Sequence, residues 1–229
     1  MAHKTYLTVT AHPDDEILGF GASCYVLTQQ GHTVYNCILS GGAEARLHRP
    51  EAQVLYDNTC MAQQIVGAQP PVLGNFPNIK FNTIPHIELV QFIEGVIKQV
   101  QPDYIFTHHP SDLNDDHLHT SRACQAAARL FQRQPDIKPL SGLYFMEIPS
   151  STDWAFSSNV SPFQPNTFIE VGQEGVAKKI EGLSAYQDVM RDYPHPRSAE
   201  VLQGLAAIRG GQAGVLYAEA FQAAFQILK

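Results

Sequence analysis

Short β-rich runs alternate with stretches of helical spacing along most of this chain, and that alternation limits the folds open to it. The runs are Thr5–Thr10 (TYLTVT), Thr33–Leu39 (TVYNCIL), Val72–Phe76, Asp103–Thr107 (DYIFT), Gly142–Ile148 (GLYFMEI) and Thr167–Val171 (TFIEV). Helical stretches are expected up to about Gln30, from about Pro50 to Val66, and over Ile87–Val100, His117–Gln132, Gln173–Arg191 and Arg197–Ile208. In the third of these, Ile87, Val90, Ile93, Ile97 and Val100 recur at intervals of three or four, the period of a helix face. Gly31 and Gly67 stand where helix C-terminal glycines belong, and Pro50 suits a first turn. Strands separated by helices of this length predict parallel β-α-β units, hence an α/β fold with helices on both faces of a mostly parallel sheet. In such sheets ligands bind beyond the carboxyl ends of the strands.

The 229 residues suit a single domain spanning 1–229, with a core over about 5–148 and a C-terminal extension over about 149–229. A chain of this mass hides roughly 70% of its unfolded surface. A hydrophobic content of 44% excludes disorder. A net charge of −7 without a Lys/Arg cluster argues against nucleic acid and anionic membranes as partners. No apolar run is long enough to span a bilayer, and the N-terminal segment turns acidic before reaching signal-peptide length. Cys24, Cys37, Cys60 and Cys124 form no CxxC pair and read as reduced thiols, so a cytoplasmic location is expected and the Asn159-Val160-Ser161 sequon is read as coincidental.

Two loops carry the chemistry. His12, Asp14 and Asp15 follow the first strand; His108, His109, Asp112, Asp115, Asp116 and His117 follow the fourth. Both therefore fall at one sheet edge. A catalytic zinc takes three ligands from His and carboxylate and keeps a position for water, which ionises near neutrality. A carboxylate outside the ligand set must take the proton, and adjacent Asp14 and Asp15 are suited to divide those two roles. Capping of helix N-termini explains either acidic cluster alone; it does not explain both loops together.

Ala11-His12-Pro13-Asp14-Asp15-Glu16 after an N-terminal strand, with Asp116-His117 before a later helix, resembles the PIG-L/LmbE-like zinc N-deacetylases. Gly19 and Gly21 match the usual continuation of that box. The resemblance implies a Rossmann-like fold, His12, Asp15 and His117 as zinc ligands (other divalent metals fit the same donors), and Asp14 as general base. It implies an N-acetylated sugar or glycoconjugate as substrate, N-acetylglucosamine-type, and a homo-oligomeric assembly. Asn114 stands where many members have a histidine; it can donate to an oxyanion and cannot deliver a proton. Asp14 or His195 is then left to protonate the leaving amine. Arg46, in the loop Ser40-Gly41-Gly42-Ala43-Glu44-Ala45-Arg46, matches a substrate-binding arginine of the family. Ser40 and Gly41 offer close backbone approach, and Arg197 offers a grip on a substrate anion.

Other signals carry less. Gly19-Phe20-Gly21 lacks the third glycine of a dinucleotide fingerprint, and Ser40 lacks a nucleophile elbow. His119 falls two after His117 and faces away from it. His108 and His109 are both candidates for supporting the ligands, and spacing does not choose. The rival readings are a metal-dependent hydratase of an unsaturated keto acid on the same fold, and a non-catalytic sugar-binding relative. The apolar tail from Ala218 to Leu228 is left to pack within the chain or across an interface.

Overall fold

The computed structural model describes residues 2–42, 50–156 and 161–228. The chain runs β1 (Thr5–Thr10), α1 (Asp15–Gln29), β2 (Thr33–Ile38), α2 (Ala52–Val66), β3 (Val72–Leu73), α3 (His86–Val100), β4 (Tyr104–His108), α4 (Asp115–Ala127), β5 (Gly142–Met146), β6 (Thr167–Glu170), α5 (Gly172–Ser184), α6 (Ala199–Ala213) and β7 (Ala218–Gln226). The sheet order is β3-β2-β1-β4-β5-β7-β6. β3 to β5 pair in parallel, and β7 is antiparallel to both β5 and β6. The chain builds outward from β1 to β3, then returns to add β4 on the other side of β1. The strand order therefore reverses between β1 and β4, where open α/β sheets leave a crevice.

Alternation along the strands divides the core into two layers. Leu7, Val9, Ile105 and Leu143 pack with Leu89, Ile93 and Ile97 of α3 and Ala123 and Cys124 of α4. Phe106, Tyr144 and Met146 face the other way, onto Ile17, Phe20 and Cys24 of α1, Leu55 of α2 and Leu183 of α5. Burial on both faces is why the strands read as apolar runs. Gly19 serves close packing rather than a loop. A Cβ there would stand 2.7 Å from Ile148 Cδ1 and 3.1 Å from Met146 Sδ, so a larger residue would make these side chains shift where α1 meets the end of β5. The four cysteines are unpaired, and three are buried.

Three helix expectations shift, one of them the last, which runs Ala199–Ala213 rather than Arg197–Ile208. α4 begins at Asp115 because Asn114 caps it, its Oδ1 accepting from Asp116 N at 2.9 Å, a cap worth about 1 kcal/mol. It ends at Ala127, and a 3₁₀ turn at Leu130–Gln132 follows. α5 stops at Ser184 rather than continuing to Arg191; the turns after it bury Tyr186 and Val189 against α1 and α2 and bring His195 and Arg197 back to the sheet edge. The C-terminal tail is β7, inserted between β5 and β6, with Phe221 opposite Met146 and Thr167. No helix is long and apolar enough to cross a membrane, among the described residues.

Candidate functional site

The loops after β1 and β4 meet at the crevice where strand order reverses. The first is tied to the second by its backbone: Ala11 N donates to His108 Nε2 at 2.8 Å. Burial and the neighbouring His117 push His108 down to about 3, so its ring is neutral and free to accept. That ring stacks on His117, with centroids 3.8 Å apart and planes at 16°. His109 instead lies against Phe145 and Phe163, so His108 is the supporting member of the pair.

Three donor atoms converge. Asp15 Oδ2 lies 3.4 Å from His12 Nδ1 and 3.2 Å from His117 Nε2. All three residues are buried, and their donor atoms lie within 4.8 Å of one another. Zinc–nitrogen and zinc–oxygen bonds of about 2.0–2.1 Å in a tetrahedral shell put neighbouring donors about 3.3 Å apart. The remaining nitrogens are each held by a second carboxylate. His12 Nε2 is 3.0 Å from Asp116 Oδ2, and His117 Nδ1 is 3.1 Å from Asp112 Oδ1. Such outer carboxylates fix the tautomer and orientation of ligating imidazoles.

Those carboxylates are themselves restrained. Asp116 accepts from Ile79 N at 2.6 Å and Phe81 N at 2.9 Å. Asp112 accepts from Ser151 Oγ, from Thr152 Oγ1 at 2.8 Å and from Asn114 N at 3.0 Å. Burial opposes charge on all these groups, yet the ring–carboxylate pairs overcome it. Asp15 is held well below the usual carboxylate range, Asp112 is held down to about 2, and His117 is raised to about 10 between Asp15 and Asp112. The cluster is a buried, carboxylate-rich cage that stabilises positive charge at its centre. A divalent cation fits that donor set.

Asp14 sits beside the cage and outside the converging donors. Its backbone is left-handed, at φ 106°, and its Oδ2 is 3.3 Å from Arg197 Nη1. Arg197 Nε also donates to Ser150 Oγ at 2.7 Å. A cleft of about 200 Å³ opens over His12, Asp14, Asp15, Asn114, His117 and Arg197, with Asn78, Ile79, Ser150 and Ser151 completing its walls.

Residues 7–128, more than half of the chain, match the family model described as PIG-L, GlcNAc-PI de-N-acetylase. The chain belongs to this family. It is 25% identical over 195 residues to the uncharacterized deacetylase YaiS of Escherichia coli K12, covering 80% of this chain and 91% of that protein. Two solved structures share its fold at lower identity. GalB, the 4-carboxy-2-hydroxymuconate hydratase of Pseudomonas putida KT2440, superposes with a TM-score of 0.77 at 20% identity, over 99% of this chain and 98% of GalB. The N,N'-diacetylchitobiose deacetylase of Pyrococcus horikoshii gives 0.70 at 16% identity, over 96% and 83% of the two chains.

In this family member His12, Asp14, Asp15, Asn114, His117 and Arg197 share one cleft. Asn114 spends its side-chain oxygen on the α4 cap while lining the cleft. His195 is not among the residues lining the cleft: its Nδ1 accepts from Arg197 N at 3.0 Å and its ring meets Trp154 edge-on. Ser40 and Gly41 close the end of β2, where Gly41 N donates to Gly74 O at 2.9 Å. Gly41 lines a neighbouring cleft with Tyr56 and Phe76, joined to the histidine cleft through Asn78, whose Nδ2 reaches Gly42 O at 3.2 Å. Arg46 lies outside the described residues. Sequence reasoning missed the orienting work of Asp112 and Asp116 and the wall made by Ser150 and Ser151. Asp116 carried a signal in its place beside His117; the serines, 33 or more positions downstream, carried none.

Proposed function

We propose that this chain is a metal-dependent N-deacetylase acting on an N-acetylated amino sugar or glycoconjugate, with His12, Asp15 and His117 as ligands, Asp14 as general base and zinc as the metal. The observation that carries the reading is the division between adjacent aspartates: Asp15 joins two imidazoles at metal-ligand spacing, while Asp14 faces the cleft on a separately held side chain. Membership of a deacetylase family and the 25% identity to YaiS support it.

A divalent ion in the cage supplies a Lewis acid that acidifies water and polarises a carbonyl. The chain's own groups do the rest. Asp112 and Asp116 hold the two imidazoles with their inner nitrogens toward the cage. Asp14 takes the proton of the attacking water on its carboxylate, which Arg197 orients. The amide oxygen gains negative charge as the tetrahedral centre forms, and Asn114 Nδ2 donates to it. Collapse breaks the C–N bond; the proton on Asp14 passes to the leaving nitrogen, giving acetate and a free amine. His195, held away from the cleft by Arg197 N and Trp154, is not needed for this balance. Arg46, Ser40 and Gly41 are proposed to contact the sugar beyond the acetamide.

The test is acetate release by the zinc-loaded protein across a panel of N-acetylglucosamine conjugates, run beside Asp14→Asn. Acetate from one conjugate, lost in the variant at unchanged metal content, is the expected result. Near-normal turnover by Asp14→Asn overturns its role as base. Silence across the panel with one zinc per chain, together with hydration of an unsaturated keto acid, moves the site to the chemistry named for GalB.

A further inference from the structure

The last acidic residue of the His-Pro-Asp-Asp-Glu box takes no part in the mechanism above, yet it is among the most deeply buried charged side chains of the protein. Glu16 is 1% exposed. An acidic residue in a first helical turn ordinarily faces water and complements the helix dipole. Glu16 instead points inward, among the Asp14 backbone, Gln63 and Tyr186. A buried carboxyl is costly unless every oxygen is paired, and here both are. Oε2 accepts from the backbone N of Asp14 at 3.0 Å. Oε1 accepts from Gln63 Nε2 at 3.0 Å and from the Tyr186 hydroxyl. Behind Gln63 the bonds continue, from Asn36 Nδ2 to Gln63 Oε1 and from Thr8 Oγ1 to Asn36 Oδ1. One polar chain thus runs from the middle of β1, through β2 and α2, to the backbone of Asp14.

Asp14 needs such an anchor. Its φ of 106° is a left-handed conformation that costs a residue with a Cβ about 1–3 kcal/mol. Its carbonyl is fixed by the first turn of α1, accepting from Ile17 N at 3.1 Å and Leu18 N at 2.9 Å. Its N–H is fixed by Glu16. The backbone is clamped on both sides of Cα, and the side chain leaves toward Arg197 and the cleft.

We propose that Glu16 is a positioning residue: braced by Gln63 and Tyr186, its carboxylate holds the Asp14 backbone in the left-handed conformation that aims the Asp14 carboxylate into the cleft. The inference rests on Asp14 being the base. A carboxylate suits the position because three donors converge on two oxygens, whereas a glutamine amide has one acceptor.

The test compares Glu16→Met, which fills the space and removes both acceptors, with Glu16→Gln, which keeps one for Asp14 N. Metal content, steady-state kinetics and a crystal structure are obtained for each. In Glu16→Met, kcat falls on the order of 100-fold, the loss a displacement of about 1 Å brings. KM and the metal stoichiometry hold, and Asp14 leaves the left-handed region. Glu16→Gln recovers kcat to within about tenfold of the native protein, with Asp14 still left-handed, because one bond to its N–H survives. A kcat loss that tracks lost metal or a raised KM, with no recovery in Glu16→Gln, overturns the proposal, as does Asp14 staying left-handed in Glu16→Met. If Glu16→Met does not fold, Tyr186→Phe carries the test, since it removes one brace and opens no large cavity. A kcat reduced at unchanged KM is then expected, and an unchanged kcat overturns the idea. If the native protein releases no acetate from any conjugate, the deacetylase reading fails separately, and the Asp14 conformation in the variants still decides what Glu16 holds.

Discussion

Arg197 Nη1 meets Asp14 Oδ2 at 3.3 Å across 183 positions of sequence, and the same guanidinium donates from Nε to Ser150 Oγ. Three of the segments reaching the cleft thus contribute to holding one carboxylate: the turn after β1 carries it, the segment after β5 supplies Ser150, and the segment after α5 supplies Arg197. Replacing Arg197 by Ala leaves the three converging donors untouched and removes one hold on the Asp14 carboxylate. The expected result is a kcat lowered roughly 10- to 100-fold with full metal content, as loss of orientation predicts. Lys in its place restores little, because one ammonium cannot reproduce a planar fork spanning two partners. Steady-state kinetics beside metal analysis decide it; metal lost together with activity would place Arg197 among the cage's supports instead.

The outer carboxylates are tested by affinity rather than rate. Asp112 holds His117 Nδ1 at 3.1 Å while accepting from Ser151, Thr152 and Asn114. Asp112→Asn keeps the shape and exchanges one acceptor for a donor facing the ring. Zinc affinity is expected to fall on the order of 10- to 100-fold, read by competition with a chromophoric chelator. His12→Ala and His117→Ala, which delete ligands, are expected to lose stoichiometric zinc in the same assay.

How much of this was legible in the sequence follows from the range of the forces involved. Thr5–Thr10 and the helix after it could be read locally, since β-branched residues and a terminal glycine act over a few positions. The cleft was legible because parallel β-α-β topology sends the ends of β1 and β4 to one edge, so His12 and His117 needed no contact information. β7 was missed for a physical reason: Ala218–Gln226 reads AEAFQAAFQ, poor in β-branched residues, and its strand state comes from tertiary pairing on both sides. The helix over-extended to Arg191 shows the same limit, because burial of Tyr186 and Val189 overrides local periodicity. Asp112 could be seen as a carboxylate near four histidines, but not which of them it would face.

The opposite edge of the sheet carries a pH-sensitive clamp. Asp103 accepts from Thr5 N at 2.9 Å, and Lys138 Nζ and Lys4 Nζ lie at 2.8 and 3.2 Å. Burial works to raise its pKa; Lys138, the Thr5 N–H and Lys4 prevail and hold it below the usual value. A carboxyl depressed in the folded state stabilises fully above its unfolded pKa of about 3.9 and loses that contribution as pH falls through the folded value. Asp103→Asn should therefore melt below the native protein at pH 6, with the gap in Tm closing as pH drops toward 3. A gap that stays constant over that range would show that the clamp works by shape rather than charge.

Lys179 on α5 and Glu219 on β7 form a buried pair at 2.7 Å, and Glu219 also accepts from Ala22 N and Ser23 N of α1. Their exposures of 8% and 7% leave little water to screen either charge. Such a pair adds little net stability over a well-packed apolar substitute, whereas removing one partner strands the other. Lys179→Met and Glu219→Leu are therefore each expected to cost about 3–5 kcal/mol, read by denaturant unfolding. The double variant should recover most of the loss contributed by the stranded charge. Recovery will be incomplete, because Glu219 also serves the two α1 amides, which no leucine can accept from. A fully additive double variant would mean that the two charges are not coupled and that Glu219 joins β7 to α1 through those amides independently of Lys179.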